Sequence, residues 1–231
     1  MDRHFDLELN ALNEKLLHMA RLVEESVARA VKSLKERNET FAQDVLKTER
    51  DVNLLEIEID ELCMRLLALQ QPVASDLRFI TSAMQIAREL ERVGDLAVNI
   101  AEVSLDLLKL PPLKPLIDIP RMASLAQGMV KDSLNAFVNR DEKLARAVCE
   151  RDDEVDSLND QIFRELLTYM MNDPTTIDRA VGLLLIARHL ERIADQATNI
   201  GEDVIYLVLG KTIKHNIEEI RRGAAAKAEQ K

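Results

Sequence analysis

Residues 87 to 102, ARELERVGDLAVNIAE, return as ARHLERIADQATNIGE at residues 187 to 202, and ten of the sixteen positions are identical. The matched pairs include Glu91 with Glu191, Arg92 with Arg192, Asp95 with Asp195, Asn99 with Asn199 and Glu102 with Glu202. A chain that repeats a segment at a spacing of one hundred residues is a doubled unit, and its fold must place that segment twice in equivalent surroundings.

At about 100° per residue, Glu91, Asp95 and Glu102 fall within roughly 40° of one another on a helix, with Asn99 at the edge of the stripe. Ile86, Val93, Leu96, Ala97 and Ile100 fall on the opposite side. The helix therefore faces a core one way and presents acid the other. The second copy sets Ile186, Ile193, Ala197, Ile200 and Val204 opposite Glu191, Asp195 and Glu202. Acid at this spacing is ordinarily a solvated face; its retention in both copies argues for more.

The rest of the chain reads as helix. Gly and Pro number six each, aromatic residues make up 3%, and 47% of the chain is hydrophobic against 31% charged, a balance suited to helical bundles. Leu9, Leu12, Leu16, Met19, Val23, Val27, Ala30 and Leu34 mark a first helix over residues 6 to 37. A break near Asn38 precedes a second helix to about Gln70, and Pro72 is placed at the first position of a third that runs to about Leu110. PPLKP at residues 111 to 115 cannot continue a helix. Beyond it the pattern gives helices from about Pro120 to Asn139 and from Asp141 to Met171. A last one opens at Asp173-Pro174 and stops at Gly210. The expected fold is all-α, six helices in two tandem three-helix bundles: residues 1–115, residues 116–210, and a polar tail at 211–231.

The second and fifth helices carry companion pairs four apart, Glu49 with Asn53 and Asp152 with Asp156. Each pair shares a helix face. Set beside Glu91 and Asp95, or Glu191 and Asp195, they would gather oxygen donors whose like charges repel until a cation relieves them. Oxygen-only ligands suit Mg²⁺, Mn²⁺ or Ca²⁺, and bridging carboxylates also hold iron or zinc.

A net charge of −10 excludes a general nucleic-acid surface. Cys63 and Cys149 stand alone in apolar helical patterns and read as core residues of a reducing compartment. The charged N-terminus lacks the apolar run of a secretory signal, and nothing has the length of a membrane span, so a cytoplasmic protein is expected. A ferritin-like di-iron enzyme would need Glu-x-x-His pairs, which the sequence lacks. It also lacks a phosphate loop, a GxSxG elbow and an HExxH zinc motif. A binding or regulatory protein without catalysis is favoured, with a metal-dependent carboxylate-bundle enzyme and a metal-free helical scaffold as the alternatives.

The duplicated ERVGD and ERIAD, the Asn-Ile pairs at 99–100 and 199–200, QPVASDLR at 71–78 and the DxxxD at 152–156 together resemble the PhoU family of phosphate-uptake regulators, over all of the chain but the tail. The resemblance implies two three-helix bundles whose acidic motifs hold multinuclear iron or zinc, here at Glu91, Asp95, Glu191, Asp195, Asp152 and Asp156. Glu49 with Asn53 departs from the pattern by an amide, which implies weaker binding in the first half. The resemblance further implies a negative regulator of phosphate signalling without catalytic activity. Its implied partners are the ATPase subunit of the phosphate ABC transporter and the phosphate-sensing histidine kinase, with homodimer formation also expected.

Overall fold

The computed structural model describes residues 2–211, with side chains from residue 5 onward. The order is α1 (Asp2–Glu36), α2 (Glu39–Gln70), α3 (Ala74–Leu108), α4 (Asp118–Asn139), α5 (Glu142–Glu150), α6 (Asp152–Asn172), a 3-10 turn at Pro174–Thr176, and α7 (Ile177–Leu209). No strand occurs among the described residues. The expected tail lies outside them from residue 212 on.

The same turn is built twice. Arg37 and Arg140 adopt left-handed backbone at φ 53° and 51°, ending α1 and α4. The next residue, Asn38 or Asp141, caps the following helix: the Thr40 amide donates to Asn38 Oδ1 at 3.0 Å, and the Lys143 and Leu144 amides donate to Asp141 Oδ1 at 3.0 and 3.1 Å. Side-chain oxygens here satisfy helix N–H groups that have no partner within the helix. Gly210, at φ 67°, ends α7 as expected.

Two expectations are corrected. Pro72 does not open α3, because Gln71 ends α2 in left-handed conformation (φ 46°) and the chain needs extended residues to reverse before Val73 caps the next helix. The fifth helix is divided at Arg151. The Arg151 and Glu154 amides donate to carbonyls three residues back, Val148 and Arg151, each at 3.1 Å, which tightens one turn and redirects the axis. The break has identifiable causes. A Cβ at Gly201 would lie 3.1 Å from the Ala145 carbonyl and from Cys149 Sγ, so α5 sits unusually close on α7. Arg151 pairs with Asp132 of α4 at 2.7 Å, and Asp152, Asp153 and Glu154 begin α6 where a helix dipole favours acid.

Helices α1, α2 and α3 pack as one bundle, and α4, α5–α6 and α7 as a second. Helix α3 also packs along α7, and α1 along α4, so the buried apolar residues form one continuous core. Along the α3–α7 seam, rising numbers meet falling ones. Arg78 Nε donates to the Leu207 carbonyl at 3.2 Å, Asn199 Nδ2 donates to Glu89 Oε2 at 3.4 Å, and a Cβ at Gly182 would lie 2.7 Å from Leu107 Cδ2. The two copies of the repeated segment therefore run antiparallel about a local twofold. Buried serines bond back to their own helices, as with Ser33 to the Ala30 carbonyl and Ser104 to the Ile100 carbonyl, both at 2.7 Å. Among the described residues no helix is long and apolar enough to cross a membrane.

Candidate metal-binding carboxylate sets

In the first half, Glu91 is half-buried and Asp95 exposed on α3, while α2 supplies Glu49 and Asn53, both half-buried. Burial pushes the Glu91 carboxyl above the ordinary range, and the charges of Asp95 and Glu56 push it further, partly offset by Arg92. Glu56 is a residue that the sequence reading missed. It lies seven positions after Glu49, on the same face of α2. The side-chain oxygen of Asn53 is buried without a hydrogen-bond partner, a costly state that an additional ligand would relieve.

In the second half, burial raises the Asp195 carboxyl, followed by the charges of Glu191 and Asp156, against Arg188 and Arg192. Glu191 accepts from Arg188 Nη1, and from Asn159 Nδ2 at 3.1 Å. Asp152 lies further along, near Cys149, whose thiol is pushed up to about 12 by burial first and then by Glu202 and Asp152. Cys63 is likewise pushed up to about 12, by burial and then Asp60. Both cysteines are buried, as expected.

The two halves carry their donors in a different order. The turn residues place α2 and α5–α6 in register at an offset of 103, so Asn53 matches Asp156 and Glu56 matches Asn159. Each half has one amide and one carboxylate at these two positions, exchanged by one helical turn. The first half thus lacks no acid; its acid stands one turn along. Among the described residues, no three His, Cys, Asp or Glu side chains close into a preformed coordination group. What the sets offer is crowded oxygen donors on adjacent helices, partly desolvated and incompletely neutralised.

Arg92 bonds Glu89 of its own helix at 3.0 Å. The counterpart of Glu89 in the second copy, His189, is half-buried, and burial, then Arg192, lowers its pKa. Glu89 and Asn199 meet across the seam, so positions 89 and 99 and their copies belong to the joint between halves rather than to the acidic sets.

A family model described as the PhoU domain matches residues 16–104 and again 119–204. The chain is 44% identical over 208 residues to the phosphate-specific transport system accessory protein PhoU homolog of Aquifex aeolicus, covering 90% of this chain and 94% of that protein. It is 41% identical over 207 residues to the homolog of that name from Caulobacter vibrioides, covering 89% and 90%. The crystal structure of PhoU from Pseudomonas aeruginosa superposes with a TM-score of 0.87 at 40% identity, over 90% of this chain and all of that one. The phosphate transport system regulatory protein PhoU from Streptococcus pneumoniae gives 0.82 at 32% identity, over 90% and 98%. Two copies of the domain model, relatives matched over nearly their full length and close superposition place this chain in the PhoU family.

Proposed function

We propose that this protein is a cytoplasmic negative regulator of phosphate uptake and signalling. It works by contact with other proteins, as an adaptor between the ATPase subunit of a phosphate ABC transporter and a phosphate-sensing histidine kinase. The relatives' names tie the family to the phosphate-specific transport system. The observation that carries a contact role is on the outer face of α6 and α7. Phe163 is 51% exposed, Leu185 45% and Val181 42%, and with Asn159, Asp160, Leu184 and Arg188 they line an open groove of about 550 Å³. Large apolar side chains grouped around a concavity are what a protein partner covers. Arg188 joins this groove to the acidic set, because it also pairs with Glu191.

On this reading a metal, iron or zinc as a multinuclear group or else Mg²⁺ or Mn²⁺, would be held by Glu49, Asn53, Glu91 and Asp95 with Glu56 in one half, and by Asp152, Asp156, Glu191 and Asp195 in the other. It would neutralise the acid and stiffen the adjoining surface. The same apolar faces would serve the expected homodimer.

Deleting the protein should leave phosphate-starvation genes on in high phosphate. The double substitution F163D/L185D should reproduce that phenotype and lose capture of the ATPase subunit or the kinase, while the thermal melt stays close to wild type. The combination D156N/D195N should remove metal from the second half by elemental analysis. Normal repression in the deletion strain, with neither partner recovered on the wild-type protein, would show the regulatory reading to be wrong.

A further inference from the structure

The duplication supplies an internal control for each surface, and one surface departs from it. Where α1 and α3 end and α7 begins, a cleft of about 350 Å³ opens beneath the linker at residues 111–115. Four of its lining residues are cationic: Lys35, Arg37, Lys114 and Arg179. This is unexpected on a chain of net charge −10. Two of the four are committed. Lys114, with only 6% of its side chain exposed, pairs with Glu165, and Arg37 Nη2 donates to the Leu108 and Leu110 carbonyls, both at 2.7 Å, so it answers the negative end of α3. Lys35 makes no ion pair among the described residues. Among the described residues Arg179 donates to the Thr175 carbonyl, at 3.5 Å, and its charge adds a minor part to the lowering of the Asp173 pKa, which the Thr175 hydrogen bonds dominate. The walls are apolar, with Leu34, Leu107, Leu183 and the linker prolines.

The twofold-related place is packed differently. At the offsets of 103 for α1 and 100 for α7, Leu34 corresponds to Phe137, Lys35 to Val138, Arg37 to Arg140 and Arg179 to Phe79. Phe79 and Phe137 stack there with ring centroids 5.1 Å apart and planes 15° from parallel, and Arg140 sits 5.8 Å over the Phe79 ring. One end of the seam is thus filled by two aromatic rings under a cation. The other carries Leu34 and Arg179 in place of the two rings and Lys35 in place of Val138, and presents a concavity with apolar walls and two cations that make no salt bridge among the described residues, Arg179 having only the nearby charge of Asp173. The two ends of the seam thus differ in both shape and charge, one built as aromatic packing and the other as a cationic cleft with apolar walls.

We infer that this cleft binds a small organic phosphate of nucleotide size, its phosphate held by Lys35 and Arg179 and its base against the leucine and proline walls. The volume lies within the range of small-ligand sites. Two cations suit a phosphate dianion, and Arg in particular presents paired donors to phosphate oxygens. A bare inorganic anion would leave the apolar walls unused.

The test is calorimetric titration of the full-length protein with the four common nucleoside 5′-monophosphates, with adenosine and inorganic phosphate as partial ligands. At least one nucleotide should bind, with affinity falling as salt rises, and adenosine and phosphate should each bind at least about tenfold more weakly. R179A and K35A should each weaken nucleotide binding about tenfold or more. L34F/R179F, which copies the packing of the filled end, should abolish it with the fold intact by circular dichroism. R140A, at the filled end, should leave affinity unchanged. Absence of binding by all four nucleotides at millimolar concentration, equal affinity for inorganic phosphate, or nucleotide binding that survives L34F/R179F would each overturn the assignment.

Discussion

Asp195 illustrates how a single carboxylate records its surroundings. Its folded-state pKa is raised, by burial and then by Glu191 and Asp156, so the folded protein holds this proton more tightly than the unfolded chain. The sign follows from linkage: ionising Asp195 opposes folding, fully so above its folded pKa, and the penalty fades as pH falls through the ordinary carboxylate range near 4. In chelator-treated protein, D195N should therefore raise the melting temperature at pH 7, with the gain shrinking toward pH 4. Asp195 is desolvated by its neighbours on one side but keeps an exposed surface on the other, and solvent screening there limits the gain to under about 1 kcal/mol. A lower melting temperature for D195N at pH 7 would mean that the charge is already compensated by Arg188 and Arg192. At this scale the sequence was informative about which residues share a helix face, since that depends on spacing alone. It was silent on Glu56 and Asn159, because which side chains meet across α2 and α3, or α6 and α7, depends on how the helices cross. Their exchange of acid and amide becomes visible only once the two halves are in register.

At the level of elements, long helices with apolar stripes and chemically marked ends were legible: Asn38, Asp141 and Asp173 accept backbone N–H bonds where caps were read or a break was placed, and Gly210 stops α7. The division at Arg151 was not, because no Pro or Gly marks it and its cause lies on another helix. Gly201 draws α5 against α7, whereas the matched position in the first half is Ala101 beside an unbroken α2. A side chain at 201 would press on the Ala145 backbone, which cannot rotate away. G201V should therefore cost about 1–3 kcal/mol by overpacking, read from denaturant unfolding. The reverse change, A101G, should cost about 1 kcal/mol, from helix propensity. A cost for G201V well below about 1 kcal/mol would indicate that α5 can slide away from α7.

Over the whole molecule, the halves are joined through their interiors. Since α3 and α7 each serve a bundle and the seam, and the buried apolar residues are continuous, chemical or thermal denaturation should show one cooperative transition rather than two. The twofold in that seam carries a consequence for ancestry. If the repeated halves descend from one short gene, that gene's product faced itself across the same surface, as the two sides of a symmetric dimer do. The present chain retains the geometry needed to reverse the fusion: Glu89 meets position 199, which matches 99, so two copies of the first half could pair Glu89 of each with Asn99 of the other. Residues 1–110 made alone should elute at the mass of a dimer in light scattering, and L107D, which puts charge into that surface, should render the fragment monomeric or unfolded. A stable, monomeric, folded fragment would mean that the seam joined two already self-sufficient bundles, and that fusion came before the shared interior rather than after it.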